Sequence, residues 1–193
     1  MDVRPTGFDG LLLIEPRRFA DDRGFFVESY QRARYAAAGI DVDLVQDNHS
    51  RSIKGVLRGL HFQVRRPQAQ IVTVMHGRVF DVAVDLRRAS ATFGKWFGTV
   101  LSEEGPRQLY MGPGFAHGFY VLSDVADLHY KVSRYYDHAD EGGLLWNDPA
   151  VGIEWPIPKG SVATISARDA AYPTLGALTV EMLPHDPPVE VPL

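Results

Sequence analysis

Nine short runs rich in β-branched and aromatic residues, each bounded by turn-forming residues, follow one another along most of this chain. They are Gly10–Pro16, Val42–Gln46, Val56–Gln63, Ile71–His76, Arg78–Leu86, Phe93–Leu101, Arg107–Met111, Phe115–Leu122 and Ala126–Tyr135. Each has the length of a strand, and signals such as HG at 76–77 and EEGP at 103–106 separate several of them. That spacing predicts an all-β sandwich or barrel. One helix is expected near Tyr30–Ala38, where alanines and arginines cluster before Gly39, a C-terminal stop. No internal repeat is visible, and the proline-rich 184–193, PHDPPVEVPL, reads as a surface tail.

A chain of 193 residues, 45% of them hydrophobic, can build one sizeable core, and no Ser/Gly-rich linker divides it, so a single domain over 1–193 is expected. The net charge of -4, with its 20 Lys and Arg dispersed, argues against a general nucleic-acid binder, although a local basic pocket for phosphate remains compatible with it. Cysteine is absent, which excludes disulfides, a thiol nucleophile and thiolate metal ligands. No apolar run approaches the roughly 18 residues of a membrane span, and MDVRPTGFDG lacks a signal-peptide core. A soluble cytoplasmic protein without a membrane partner is the expectation.

Within VLRGLHFQ at 56–63, His61 stands three residues after Arg58 in an otherwise apolar strand. Strict alternation puts the two on opposite faces. They share a face only if Gly59 marks a bulge, which glycine inside a strand often does. Other residues capable of chemistry are Arg23 and Glu28 in DDRGFFVES, Gln46 and Asn48 in VQDNHS, His117 in GPGFAHGF, Tyr130 in LHYKVSRYYD, Glu141 in DEGGLLWNDP and Asp169 in SARDAAYP. Each also has a purely structural reading: RG as a turn, Glu28 on a solvated face, NHS as an Asx-type cap, Tyr130 as a core aromatic and Asp169 as a helix cap.

Taken together these strings resemble the dTDP-4-dehydrorhamnose 3,5-epimerase family. The likeness runs through RGFFVESY at 23–30, VQDNHSRSIKGVLRGLHFQ at 45–63, GRVFDVAVDLRRASATFGKW at 77–96, RQLYMGPGFAHGF at 107–119 and LLWNDPAVGIEWP at 144–156, in the family's order. The resemblance implies a cupin-type jelly-roll or β-sandwich barrel with a few short helices, in a homodimer that exchanges N-terminal strands. It implies neither metal nor redox cofactor, and His61 is followed by Phe62 and Gln63 where metal-binding cupins present a His-x-His pair. A metal site from the scattered His49, His61, His76 and His117 is the weaker alternative.

The implied substrate is dTDP-4-keto-6-deoxy-D-glucose, inverted at C3 and C5. Removing hydrogen from a carbon beside a ketone requires a base, a group for the enolate oxygen, and an acid on the other face. By resemblance, His61 is the base, Asp169 the carboxylate that orients it, and Tyr130 the acid. Arg23, Arg58 and Arg168 surround the diphosphate. Glu28, Gln46, Asn48 and Glu141 contact nucleotide and sugar, His117 the sugar or phosphates, and Tyr136 stacks on thymine. Phe25 supplies an apolar wall, across the dimer. For Phe25 and Tyr136 ordinary packing is the alternative.

One position departs from the family pattern. Where the family reads QxKLV this chain reads Gln68-Ala69-Gln70-Ile71-Val72, so Gln70 replaces a lysine beside the ketone. Charged hydrogen bonds contribute about 1.5 to 3 kcal/mol and neutral ones about 0.5 to 1.5, so the exchange costs on the order of tenfold in rate unless Arg58 compensates. The alternatives to the double epimerase are an epimerase acting at C3 or C5 alone on a related dTDP-4-keto sugar, and a catalytically silent nucleotide-sugar-binding protein.

Overall fold

In the computed structural model, which describes residues 1–185, the strand-rich sequence pairs into two facing sheets. In chain order the strands are β1 (Asp2–Pro5), β2 (Leu11–Glu15), β3 (Arg18–Asp21), β4 (Gly24–Val27), β5 (Gln46–Ile53), β6 (Leu57–Gln63), β7 (Gln70–His76), β8 (Arg78–Asp85), β9 (Trp96–Ser102), β10 (Gln108–Met111), β11 (Phe115–Val121), β12 (Val125–Val132) and β13 (Glu141–Gly143). The six-stranded sheet runs β1-β2-β10-β7-β12-β5 and the five-stranded sheet β13-β6-β11-β8-β9, while β3 and β4 form a separate hairpin. The helices are short: α1 (Arg32–Ala37) and α2 (Ala167–Ala170), with 3-10 turns at His138–Asp140, Leu175–Ala177 and Val180–Met182. Among the described residues no helix is long and apolar enough to cross a membrane.

Period-two alternation builds the interior. Val72, Val74, Leu109, Met111, Ala126 and Leu128 of one sheet meet Val79, Ala83, Leu101, Phe115, Phe119 and Val121 of the other. Each of these Val, Leu, Met and Phe side chains contributes about 1.5 to 3 kcal/mol on full burial, and the two alanines less. The outer face of the five-stranded sheet is covered by the C-terminal segment through Leu144, Val151, Leu175, Leu178 and Leu183. The outer face of the other sheet is partly covered by the α1 region through Tyr35 and Ile40. Tyr35 also secures this cover by hydrogen bonds to Gln108 Oε1 at 2.5 Å and the Ser29 carbonyl at 2.9 Å.

Most of the anticipated strands are present with small boundary shifts, and α1 ends where expected, Ala38 closing it and Gly39 following at φ +90°. The run Val42–Gln46 is a correction: only Gln46 is in a strand, and Val42 and Leu44 instead pack against the cluster around Tyr35. The strand there is β5, whose sequence QDNHSRSI carries no apolar alternation. The start of the supposed surface tail is a second correction, because Pro184 is buried and the His185 amide donates to the Val64 carbonyl at 2.8 Å. The rest of that tail, 186–193, lies outside the described residues.

Candidate active site

Along several strands the inward face changes from apolar to polar at the same end of the sandwich. On β12 it passes from Ala126 and Leu128 to Tyr130, on β7 from Val74 and Val72 to Gln70, and on β11 from Val121 and Phe119 to His117. On β5 the inward positions are Ser52, Ser50, Asn48 and Gln46. Where the apolar filling stops, a cavity of about 310 Å³ opens, and all of these polar side chains except the buried Ser52 line it together with Arg58, His61, Gln63, Tyr136, Glu141 and Arg168.

Gly59 brings Arg58 and His61 to the same cavity. In the β6–β11 ladder His117 pairs with His61 but Phe119 pairs with Arg58, so β6 carries one extra residue at this point. This is the bulge on which the sequence reading depended. Gly59 has φ +122°, and a Cβ there would lie 2.6 Å from Gly118 Cα and 2.8 Å from the His117 carbonyl oxygen. Only glycine fits both the backbone conformation and the close approach. Arg58 is held by donating from Nε to Ser52 Oγ at 3.0 Å and from Nη2 to the Arg51 carbonyl at 3.3 Å.

Asp169 braces this bulged strand from α2. Its Oδ2 accepts the Gly59 amide at 3.0 Å and its Oδ1 lies 3.0 Å from His61 Nε2. Ser166 caps the short helix by accepting the Asp169 amide at 3.0 Å, which fixes where that carboxylate points. Burial works against its charged form, but the bonds from His61 and the Gly59 amide prevail and hold the carboxyl well below the usual range. With Nε2 turned to a fixed anion, Nδ1 is the imidazole atom left for a proton from elsewhere.

Tyr130 reaches the cavity from the opposite sheet. Burial pushes its hydroxyl up from the ordinary value, a shift that the Arg58 charge opposes and Glu141 reinforces, so it remains a proton donor at neutral pH. The His61 imidazole on one wall thus faces a protonated phenol on the other. His117 adds a second histidine, its Nε2 lying 2.9 Å from Oδ2 of the fully buried Asp81. Glu141 gathers the rim: Arg168 donates to its Oε2 at 2.9 Å, Tyr136 hydrogen-bonds the same oxygen, and Tyr172 donates to Oε1 at 3.3 Å.

The sequence model of the dTDP-4-dehydrorhamnose 3,5-epimerase family matches residues 5–177. The chain belongs to this epimerase family. It is 50% identical over 177 residues to the dTDP-4-dehydrorhamnose 3,5-epimerase of Salmonella typhimurium, covering 91% of this chain and 96% of that protein. It also superposes with a TM-score of 0.91 on the dTDP-6-deoxy-D-glucose-3,5-epimerase of Legionella pneumophila, a structure in complex with dTDP-4-keto-L-rhamnose, at 48% identity over 95% of this chain and 97% of that one. A dTDP-4-dehydrorhamnose 3-epimerase of Streptomyces niveus is 42% identical over 194 aligned residues, covering 93% of this chain and 94% of that protein. The fold is accordingly the cupin-like sandwich of the 3,5-epimerases.

Of the residues anticipated for an epimerase site, Gln46, Asn48, Arg58, His61, Gln70, His117, Tyr130, Tyr136, Glu141 and Arg168 line the one cavity, and Asp169 stands directly behind His61. Arg23, Phe25 and Glu28 do not line it within this chain. Arg23 pairs with Asp21 at 2.6 Å, Glu28 with Arg34 at 2.9 Å, and the Phe25 ring lies under the Arg18 guanidinium. Ser50 and Gln63 are cavity residues that the sequence reading missed. Ser50 continues the period-two series from Gln46 and Asn48, a signal that was present, and its buried hydroxyl has no hydrogen-bond partner. Among the described residues no three His, Asp or Glu side chains are grouped to hold a metal ion.

Proposed function

We propose that this epimerase inverts C3 and C5 of dTDP-4-keto-6-deoxy-D-glucose to give dTDP-4-keto-L-rhamnose. The observation that carries the reading is the His61–Asp169 pair facing Tyr130 across one cavity. At each centre the C–H bond beside the C4 ketone breaks, its electrons pass into the enolate, and Nδ1 of His61 takes the proton. Asp169 stabilises the resulting imidazolium. Tyr130 then gives its hydroxyl proton to carbon from the opposite face, the enolate electrons return to form the new C–H bond, and both side chains recover their starting states by exchange with water. Arg58 and Arg168 hold the diphosphate, and Gln70 donates a neutral hydrogen bond toward the ketone oxygen.

A homodimer completes the site in this proposal. Phe19, Phe25 and Phe26 on the β3–β4 hairpin are 50%, 55% and 68% exposed, and the same segment carries Arg23 and Glu28, so a hairpin laid against a second copy would deliver these residues to that copy's cavity. The protein works on this nucleotide sugar in the cytoplasm. Sedimentation showing only monomer at working concentration would remove the dimer from the proposal.

The test of the reaction is proton NMR with dTDP-4-keto-6-deoxyglucose in D2O, following C3 and C5 separately beside the His61→Asn variant. Exchange at both carbons, abolished in the variant, is the expected result. Exchange at one carbon alone would assign a single-site epimerase, the reading favoured by Gln70 and by the likeness to a 3-epimerase. Absence of exchange at either carbon would overturn the proposal.

A further inference from the structure

The Asp169 hydrogen bond leaves His61 one rotational freedom. A single contact at Nε2 fixes that atom but lets the imidazole swing about the line to the carboxylate, which carries Nδ1 away from the cavity. The ring of Tyr172, three residues beyond Asp169, stands edge-on to His61 with centroids 5.7 Å apart and planes at 75°. Beside it Gly143, the β13 residue paired with His61 in the ladder, has no side chain. The space is filled by Tyr172 itself: a Cβ on Gly143 would lie 2.3 Å from three atoms of its ring. The ring is thus wedged between the strand and the histidine. Its hydroxyl donates to Glu141 Oε1 at 3.3 Å, joining this wedge to the carboxylate that gathers Arg168 and Tyr136 at the rim.

Taking His61 as the base, as in the function proposed above, we propose that Tyr172 is a positioning residue with two separable parts. The ring keeps Nδ1 aimed into the cavity, and the hydroxyl holds Glu141 in the orientation that receives substrate. Burial, then the neighbouring Glu141 charge, push the Tyr172 hydroxyl far above its ordinary value, so it stays a donor. Tyr172 is not part of the cavity wall, so its influence passes through its two neighbours.

The two parts are read separately in kinetics. Tyr172→Phe keeps the ring and removes the donor, and KM should rise about threefold to tenfold with kcat within about twofold of the parent. Tyr172→Leu keeps most of the apolar volume but not the flat edge, and kcat should fall about tenfold to a hundredfold, because small misplacement of a reacting group costs that much. The His61 ring nitrogen resonances of the ligand-free protein, assigned with His61→Asn, should move in Tyr172→Leu and stay in place in Tyr172→Phe. That signal needs no turnover, so it tests the wedge even if the parent protein exchanges neither carbon and the proposed reaction fails. Equal kcat losses in both variants, or a folded Tyr172→Leu protein with parental kcat and unchanged His61 resonances, would overturn the assignment. If Tyr172→Leu does not fold, Tyr172→Met takes its place with the same expected results.

Discussion

His61 and Asp169 are 108 positions apart in the chain, yet Nε2 of one lies 3.0 Å from Oδ1 of the other, while the second oxygen of the same carboxylate holds the Gly59 amide. The side chain that orients the imidazole therefore also fixes the bulge that delivers it.

Asp169→Asn should lower kcat by about a hundredfold to ten-thousandfold with little change in KM. An asparagine has one acceptor oxygen, which the Gly59 amide claims, and its nitrogen can only donate to Nε2. That moves the imidazole proton to Nδ1, the atom that must be free to accept one. Single-turnover kinetics and C–H exchange in D2O check this, and a rate within threefold of the parent would refute it.

Gly59→Ala should destabilise the fold by about 2 to 5 kcal/mol, combining a positive φ with overpacking. A Cβ placed 2.6 Å from Gly118 Cα must push β6 from β11, and Arg58 and His61 move with it. Urea denaturation gives the stability, and saturable dTDP binding shows whether the cavity persists. A loss below about 1 kcal/mol would mean that the ladder relaxes easily here.

Gln70→Lys should raise the epimerisation rate at one carbon by on the order of tenfold, because it offers a full positive charge to the enolate oxygen. Gln70 lies on the cavity wall beside Tyr130, and the nearby cation Arg58 is already engaged by Ser52 and the Arg51 carbonyl. Separate exchange rates at C3 and C5 decide it. Unchanged rates at both carbons would show that position 70 is neutral.

Acid stability should depend on Arg51. Its two-pronged bond to Asp127, at 2.7 Å on each oxygen, is the leading cause that holds that carboxyl at about 2, with burial opposing and His49 assisting. The ordinary carboxylate value is about 3.9, so the folded state binds fewer protons. The resulting stability is complete above about pH 5 and is lost as pH falls through the folded value. The difference in urea midpoint between parent and Arg51→Ala should therefore be largest at neutral pH, shrink as pH falls toward about 2 and vanish only below it. A difference independent of pH would assign the effect to packing.

The strand ladder was readable because most of these strands bury one face, and β-branched alternation reports burial. It failed at β5, where the inward positions Gln46, Asn48 and Ser50 line a cavity and the outward Asp47, His49 and Arg51 make ion pairs. A strand polar on both faces carries no hydrophobic period, so its apolar neighbours Val42 and Leu44 drew the strand assignment instead. Gly59 reads as a bulge candidate from its place inside an apolar strand between Arg58 and His61, and the ladder supplies the extra residue. His61, Tyr130 and Asp169 could be grouped from sequence only by family resemblance, since nothing local marks contacts that span a sandwich. Tyr172 gave no signal, because its role depends on the absence of a side chain at Gly143.

His61 and Tyr130 sit on different sheets, with no strand pairing between them and a shared apolar filling beneath. The gap across which a stereocentre would be inverted is therefore a layer thickness, set by side chains such as Val72, Val121 and Leu128 that are fully buried and lie outside the cavity lining. Trimming those hidden residues should therefore act like a shim, changing the separation of His61 and Tyr130 while leaving both side chains chemically intact.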